Sequence, residues 1–171
     1  MELRLTTCTI RDLLDSDADD MARQANDKEI WRNLKDRFPF PYAVEHARAF
    51  ITYSRSLDPE RNFALVVDGR LAGVIGFEPK EDIWRRSVEL GYWLGREYWG
   101  RGIASEAARA ITDWAFEKWD INRVWAGVFD WNPASTRVLE KAGFVFEGRL
   151  HKSATKDGEA VDELIYAVVR T

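Results

Sequence analysis

The chain has 171 residues, 46% apolar and 32% charged, with a net charge of −4. These values suit one domain with a sizeable core; they exclude a disordered chain, and no apolar run is long enough to span a membrane. The acidic balance argues against a nucleic-acid backbone as main partner, and the lone Cys8 excludes an internal disulfide or a cysteine-rich metal site. His46 and His151 lie far apart without ligand-like spacing, so no metal is expected. Met1 to Leu5 lacks the basic head and apolar run of a secretory signal, which makes the cytoplasm the expected compartment.

In chain order, Leu3–Ile10 alternates as a first strand, and Asp15 or Ser16 caps a helix through roughly Gln24. Lys28–Leu34 gives a helical turn or two, and the prolines within Phe38–Tyr42 interrupt regular structure. Glu45–Arg55 is a helix with Ala47, Phe50 and Ile51 on its apolar side. Asn62–Val67 and Leu71–Glu78 flank Asp68-Gly69-Arg70, a hairpin signal, and Lys80–Arg86 is an exposed turn. A strand at Ser87–Leu94, a long helix with Ile103, Ala107, Ile111 and Trp114/Ala115 on one face, and a β-rich run at Arg123–Phe129 imply a right-handed crossover and two parallel strands. Asn132-Pro133 starts a further helix that Gly143 ends, and Phe144–Leu150, then Lys156-Asp157-Gly158, then Val161–Arg170 form a last antiparallel hairpin. The fold class is mixed α/β, with mostly antiparallel strands.

Chemistry concentrates at Trp99-Gly100-Arg101-Gly102-Ile103-Ala104. A glycine loop feeding a helix N-terminus gathers unpaired amides and the positive end of the helix dipole, which suits a phosphate. Two glycines around an arginine imply that something approaches the backbone there. A nucleotide P-loop needs Lys and Ser/Thr after the second glycine, and Ile103-Ala104 follows instead. A Rossmann fingerprint needs a third glycine, and the antiparallel hairpin comes first. The remaining reading is a pyrophosphate on a βα loop, as in coenzyme A binders.

On these residues the chain resembles the GCN5-related N-acetyltransferase (GNAT) family, in the RimJ/RimL-like branch of ribosomal-protein N-terminal acetyltransferases. The family's Gln/Arg-x-x-Gly-x-Gly/Ala signature falls on Trp99 to Ala104, followed by Ser105-Glu106-Ala107, with Trp99 where Gln or Arg is usual. A second block runs from Asn132-Pro133-Ala134-Ser135 through Val138–Phe144 to Glu147-Gly148.

The resemblance implies a single domain over residues 1–171, with a splayed parallel pair at the sheet's centre and acetyl-CoA as co-substrate. It places the pantetheine arm on main-chain groups near Trp93 and Leu94, and the pyrophosphate around Trp99, Gly100, Arg101, Gly102, Ile103 and Ala104, with the Ser105 hydroxyl added. Asn132 reaches the arm and Ser135 serves the leaving thiolate. The glutamate that can follow Glu-Gly in relatives is replaced by His151–Thr155, so Glu89 is the best replacement as general base, with a tyrosine or an ordered water as the alternatives. Trp31, Phe38, Phe40 and Tyr42 line the acceptor pocket. The implied reaction is direct attack of a primary amine, from a protein N-terminus or a small molecule, by a monomer or homodimer. A non-catalytic acyl-CoA sensor is the alternative. Each residue also has a plainer role open to it: Asn132 as helix cap, Glu89 as a solvated strand residue, the aromatics as core.

Overall fold

The structure, a computed structural model, describes residues 1–170 and divides into two compact units. One comprises Met1–Gly76 with Tyr92–Ala107, the other Phe77–Gly91 with the residues from Ala108 onward.

In the first unit the expected opening strand is two strands, β1 (Glu2–Arg4) and β2 (Thr9–Asp12), paired antiparallel. The break has a cause: the Thr6 and Thr7 amides turn away to the Glu106 carboxylate, while Leu5 N–H closes the turn on the Cys8 carbonyl at 2.9 Å. The next helix is not capped by Asp15 or Ser16. Asp17 accepts the Leu14 amide at 2.8 Å and both Arg11 guanidinium nitrogens, and a short 3₁₀ turn then leads into α1 (Ala18–Ala25).

After α1 come α2 (Lys28–Trp31), α3 (Val44–Arg55), β3 (Asn62–Val67) and β4 (Arg70–Pro79). Helical spacing puts Ala18, Met21 and Ala25 of α1 on one stripe, and Ala47 and Ile51 of α3 on another. Both stripes join Leu13, Tyr42, Ala64, Val66, Leu71 and Val74 in one core. Asp68 (φ 50°) and Gly69 (φ 77°) both adopt the left-handed backbone that a tight two-residue hairpin turn requires. β5 (Ser87–Leu94) enters this unit at Tyr92, and α4 (Ile103–Lys118) begins in it. Gly73 of β4 permits a close approach: a Cβ there would lie 2.2 Å from the Trp93 carbonyl oxygen and 2.9 Å from Leu94 Cα.

The second unit holds the rest of β4, β5 and α4, with β6 (Arg123–Phe129), α5 (Pro133–Lys141), β7 (Val145–Lys156) and β8 (Glu159–Val169). β5 and β6 pair in parallel over Ser87↔Arg123, Val88↔Val124 and Glu89↔Trp125, the orientation a helical crossover dictates. β6 pairs antiparallel with β8 from Arg123↔Val169 to Phe129↔Glu163. The β7–β8 hairpin is longer than its sequence suggests, and Asp157 (φ 51°) and Gly158 (φ 80°) form its tight turn. Two register shifts interrupt its ladder, and so blur the alternation by which a strand is recognised. Val88, Leu90, Ile111, Ala115, Val124, Leu139, Phe144 and Tyr166 are buried.

The strand order is β1-β2-β3-β4-β5-β6-β8-β7, an open mixed sheet with one parallel pair, as the sequence predicts. No helix among the described residues is long and apolar enough to cross a membrane.

Gly73→Ala should lower stability by about 3 kcal/mol, since backbone atoms rather than a movable side chain oppose the added methyl. Gly148→Ala, whose methyl meets nothing within 4 Å, is the control. Urea midpoints measure both, and equal midpoints would show that β4 and β5 yield at Gly73.

Candidate active site

In the first unit the loop from Leu94 to Glu106 is bonded at nearly every turn. The Gly95 amide donates to the Ala72 carbonyl at 2.8 Å, and the Tyr98 and Trp99 amides close a 3₁₀ turn on Gly95 and Arg96. The Trp99 indole N–H donates to the Leu94 carbonyl at 2.7 Å, with the Arg96 guanidinium 5.7 Å from its ring centroid. At the position where the resemblance leads one to expect Gln or Arg, this tryptophan staples the loop to the end of β5. Arg96 in turn forks onto Asp27, the N-cap of α2, at 2.6 and 2.7 Å, and so draws that carboxyl below its ordinary pKa. Buried Gln24 donates to Glu97 and fills the space a Cβ on Gly95 would need.

Gly100 (φ 74°) and Gly102 (φ 79°) are both left-handed. That conformation accounts for the two glycines by itself, which corrects the inference that only an approaching ligand explains them. What they leave is space: a Cβ at either position would meet nothing within 4 Å. The first helical bond of α4 runs from Glu106 N–H to the Gly102 carbonyl at 3.1 Å, so the Ile103, Ala104 and Ser105 amides precede the intrahelical ladder. Arg101 is exposed, its guanidinium 5.7 Å from the Tyr98 ring centroid. Glu106, the acidic residue of this first turn, would repel an anion if it faced these amides. Instead its carboxylate accepts the Thr6 amide at 2.9 Å, the Thr7 amide at 2.8 Å and the Thr7 hydroxyl. Those bonds, the Thr7 hydroxyl foremost, pull its pKa from 4.5 to about 2. Amides, a guanidinium, a hydroxyl and open space form a donor set that fits a pyrophosphate.

Of the four aromatics expected at the acceptor pocket, Tyr42 is buried in the core with its hydroxyl on the Met21 sulfur, and desolvation raises its pKa to about 12. Phe38 packs against that core, 4.9 Å from Tyr42 and 5.9 Å from Trp93 between ring centroids. Trp31 and Phe40 stack with each other at 6.0 Å, and Phe40 is exposed. Only these last two lie outside the packed set. Cys8 is buried, and desolvation raises its pKa to about 11, the opposite of an activated nucleophile.

In the second unit, Asn132 caps α5 by accepting the Ser135 amide at 3.2 Å, which leaves its Nδ2 donors for another acceptor. Ser135 lies half-buried in the first turn of that helix. The Glu89 side chain, 15% exposed, holds the Lys80 ammonium at 3.3 Å, and the same ammonium lies 5.0 Å from the Trp125 ring centroid. Lys80 therefore turns back onto the strand face rather than sharing the solvated loop expected for it. His151 does not stand alone: its Nδ1 meets buried Asp162 at 3.1 Å. The Lys152 amide, then Arg149, hold the Asp162 carboxyl well below the usual carboxylate range. His46 accepts the Ala43 amide at the start of α3.

Sequence reasoning gave no role to Glu106, or to Glu163 of β8. Glu106 stands inside the quoted signature, but its partners are a hundred residues away. Glu163 acquires meaning only through strand register.

The acetyltransferase (GNAT) domain family matches residues 8–145, and the chain belongs to that family. It is 35% identical over 133 residues to the "Probable N-acetyltransferase YjcK" of Bacillus subtilis, covering 75% of this chain and 74% of that one. It is 32% identical over 106 residues to the ribosomal-protein-serine acetyltransferase of Escherichia coli, 61% of this chain and 58% of the relative. Among solved structures, RimL, a ribosomal L7/L12 α-N-protein acetyltransferase in complex with coenzyme A, shares the fold: TM-score 0.86, 22% identity, 99% of this chain and 98% of that one.

The Glu106 clamp carries a pH signature. Its folded pKa is depressed, so its contribution is fully present above the unfolded value of 4.5 and is lost as pH falls through about 2. Glu106→Gln should therefore lower the melting temperature at neutral pH, with the gap to the parent closing as pH falls across that window. A gap of constant size down the titration would show that the carboxylate's charge contributes nothing.

Proposed function

We propose that residues 1–171 act as one acetyl-CoA-dependent N-acetyltransferase domain, transferring acetyl to a primary amine of a protein N-terminus or small molecule. The observation that carries this is the start of α4, shaped and cleared for a pyrophosphate with its one acidic neighbour turned away. Family membership and the coenzyme A held by a protein of the same fold support it.

In this reading the amides of Arg101 to Ser105 and the Arg101 guanidinium bind the pyrophosphate, and the Ser105 hydroxyl adds a donor. Main-chain groups of Trp93 and Leu94 hold the arm. The Leu94 carbonyl already accepts from Trp99, so its share falls on its amide or on the carbonyl's second lone pair. Bound acetyl-CoA supplies an acyl carbon activated by a thiolate leaving group. The Ser135 hydroxyl donates toward that sulfur, which lowers the cost of the negative charge it gains. An alkyl ammonium must lose a proton before its nitrogen is nucleophilic, so a base or a water chain has to accept one. Half-buried Trp31 and exposed Phe40 offer a surface for the acceptor's apolar part. A monomer or homodimer in the cytoplasm is the setting we infer.

One observation favours a second reading, a non-catalytic acyl-CoA sensor: the strand carboxylate Glu89 is already paired with Lys80. The two readings separate on turnover. Acetyl-CoA should release free thiol when mixed with at least one of peptides beginning with Ser or Ala, spermidine and an aminoglycoside; binding of CoA with no release from any of them would favour the sensor. Gly102→Ala should weaken CoA binding about tenfold in calorimetry, ~1.4 kcal/mol, because the left-handed backbone is strained and the methyl enters the cleared space.

A further inference from the structure

We propose that Glu163 is the catalytic carboxylate that accepts the acceptor's proton, with Ser153 as its positioning residue. The proposal rests on the acetyl-transfer reading and lies wholly within the second unit.

Register puts Glu163 on the right face. Residues paired across a ladder point to the same side of a sheet. The β6–β8 ladder sets Glu163 opposite Phe129 and Ile165 opposite Gly127, and the β5–β6 ladder sets Glu89 opposite Trp125. Trp125, Gly127 and Phe129 alternate along β6, so Glu89, Glu163 and Ile165 share their face. The other face carries the buried Val124, Ala126 and Val128.

Position follows from Gly127. A Cβ built on that exposed glycine would lie 3.2 Å from Glu163 Oε1, and 3.8 Å from both Ile165 Cδ1 and a Trp125 ring carbon. The carboxylate thus overhangs bare backbone, with a ring and a methyl beside it and no side chain beneath. That is room for an amine next to a proton acceptor. Ser153 Oγ donates to Glu163 Oε2 at 2.8 Å, which fixes one oxygen and leaves Oε1 toward Gly127.

Partners separate the two carboxylates of this face. Glu89 carries the Lys80 ammonium, so a cationic substrate must displace a resident cation before Glu89 can act on it. The contact on Glu163 is a neutral hydroxyl, which offers the incoming ammonium no competition. Nearby Asp162 is taken up by the Lys152 amide, Arg149 and His151. Glu163 thereby fills the part left open by His151–Thr155, from the neighbouring strand, with Ser153 of that stretch reaching across to hold it.

The step balances. The acceptor ammonium gives one proton to Glu163 Oε1, and the freed nitrogen lone pair forms the new C–N bond at the thioester carbonyl. The C–S bond breaks with its electron pair on sulfur, which takes a proton from Ser135 as the nitrogen loses its second one. That second proton restores the Ser135 hydroxyl through solvent, and Glu163 passes its own to bulk water. Ammonium and thioester become amide, thiol and one released proton.

The test uses the whole chain with whichever amine of the panel above turns over fastest. Glu163→Gln should reduce kcat by roughly 100-fold or more, leaving the KM for acetyl-CoA and the calorimetric Kd for CoA unchanged. Its rate should climb with pH toward the amine's own pKa, as bulk deprotonation replaces the lost base. Ser153→Ala should cost less and keep the parent's pH profile, and Glu89→Gln should cost less than Glu163→Gln. Independently of turnover, the ¹³C δ-carboxyl resonance assigned to Glu163 should move when the amine is added to CoA-bound protein. Glu163→Asp, retaining a carboxylate, should recover part of the rate and guards against a folding defect in the glutamine variant. Parent-like kcat in Glu163→Gln, a resonance indifferent to amine, or a larger loss in Glu89→Gln would each overturn the assignment. Failure of the unsubstituted chain to acetylate any amine would instead overturn the acetyl-transfer reading, and this assignment with it.

Discussion

Backbone polar groups are paired in folded proteins wherever partners can reach them, and the segment from Leu94 to Glu106 shows how that is done beside solvent. Several of its groups are satisfied internally: the Gly95 amide by Ala72, the 3₁₀ turn by its own carbonyls, the Leu94 carbonyl by the Trp99 indole, the Gly102 carbonyl by Glu106. Among the amides left over are those of the first turn of α4, where a helix has no acceptor to offer them. The rest of the first unit serves this arrangement. The β1–β2 turn breaks so that its amides can absorb the Glu106 charge, and α2 lends its cap to Arg96.

The sheet of the second unit supplies the opposite quality, an open face with chemistry on it. Strand alternation sends one set of β6 side chains into the core and leaves Trp125, Gly127 and Phe129 on the other side. Carboxylates on the flanking strands inherit that face through register. Glu89 arrives from β5 and meets Lys80; Glu163 arrives from β8 and meets Ser153. Identical side chains so acquire different availability from what lies beside them.

Much of this was legible in the sequence where local signals and tertiary demand agree. Asn132-Pro133 with Gly143 bounded α5, Asp68-Gly69 marked a hairpin, and the 3.6-residue pattern from Ile103 to Ala115 gave α4, because each is a local matter of caps, turns and spacing. Leu3–Ile10 misled because its alternation is real, but a carboxylate a hundred residues on claims the middle of it. Asp15 and Ser16 looked like caps, yet the longer reach of Asp17 back to Leu14, anchored by Arg11, set the helix start. At the candidate site the glycine loop could be read, whereas the partners of Glu89, Trp99 and Glu163 could not, since they come from a loop turned back onto the sheet, an unexpected side-chain choice and a neighbouring strand. Tyr42 illustrates the limit of composition: a cluster of aromatics between helices looks like a pocket lining, and this one is largely core.

The left-handed glycines, together with the Trp99 staple, have a further consequence for recognition. A loop that must be ordered by its ligand surrenders conformational entropy at the moment of binding, and affinity falls accordingly. Here torsional preference and an indole hydrogen bond have met that loss during folding, before any ligand arrives. A ligand that docks on this loop meets a surface already ordered, and little reorganisation is asked of the backbone.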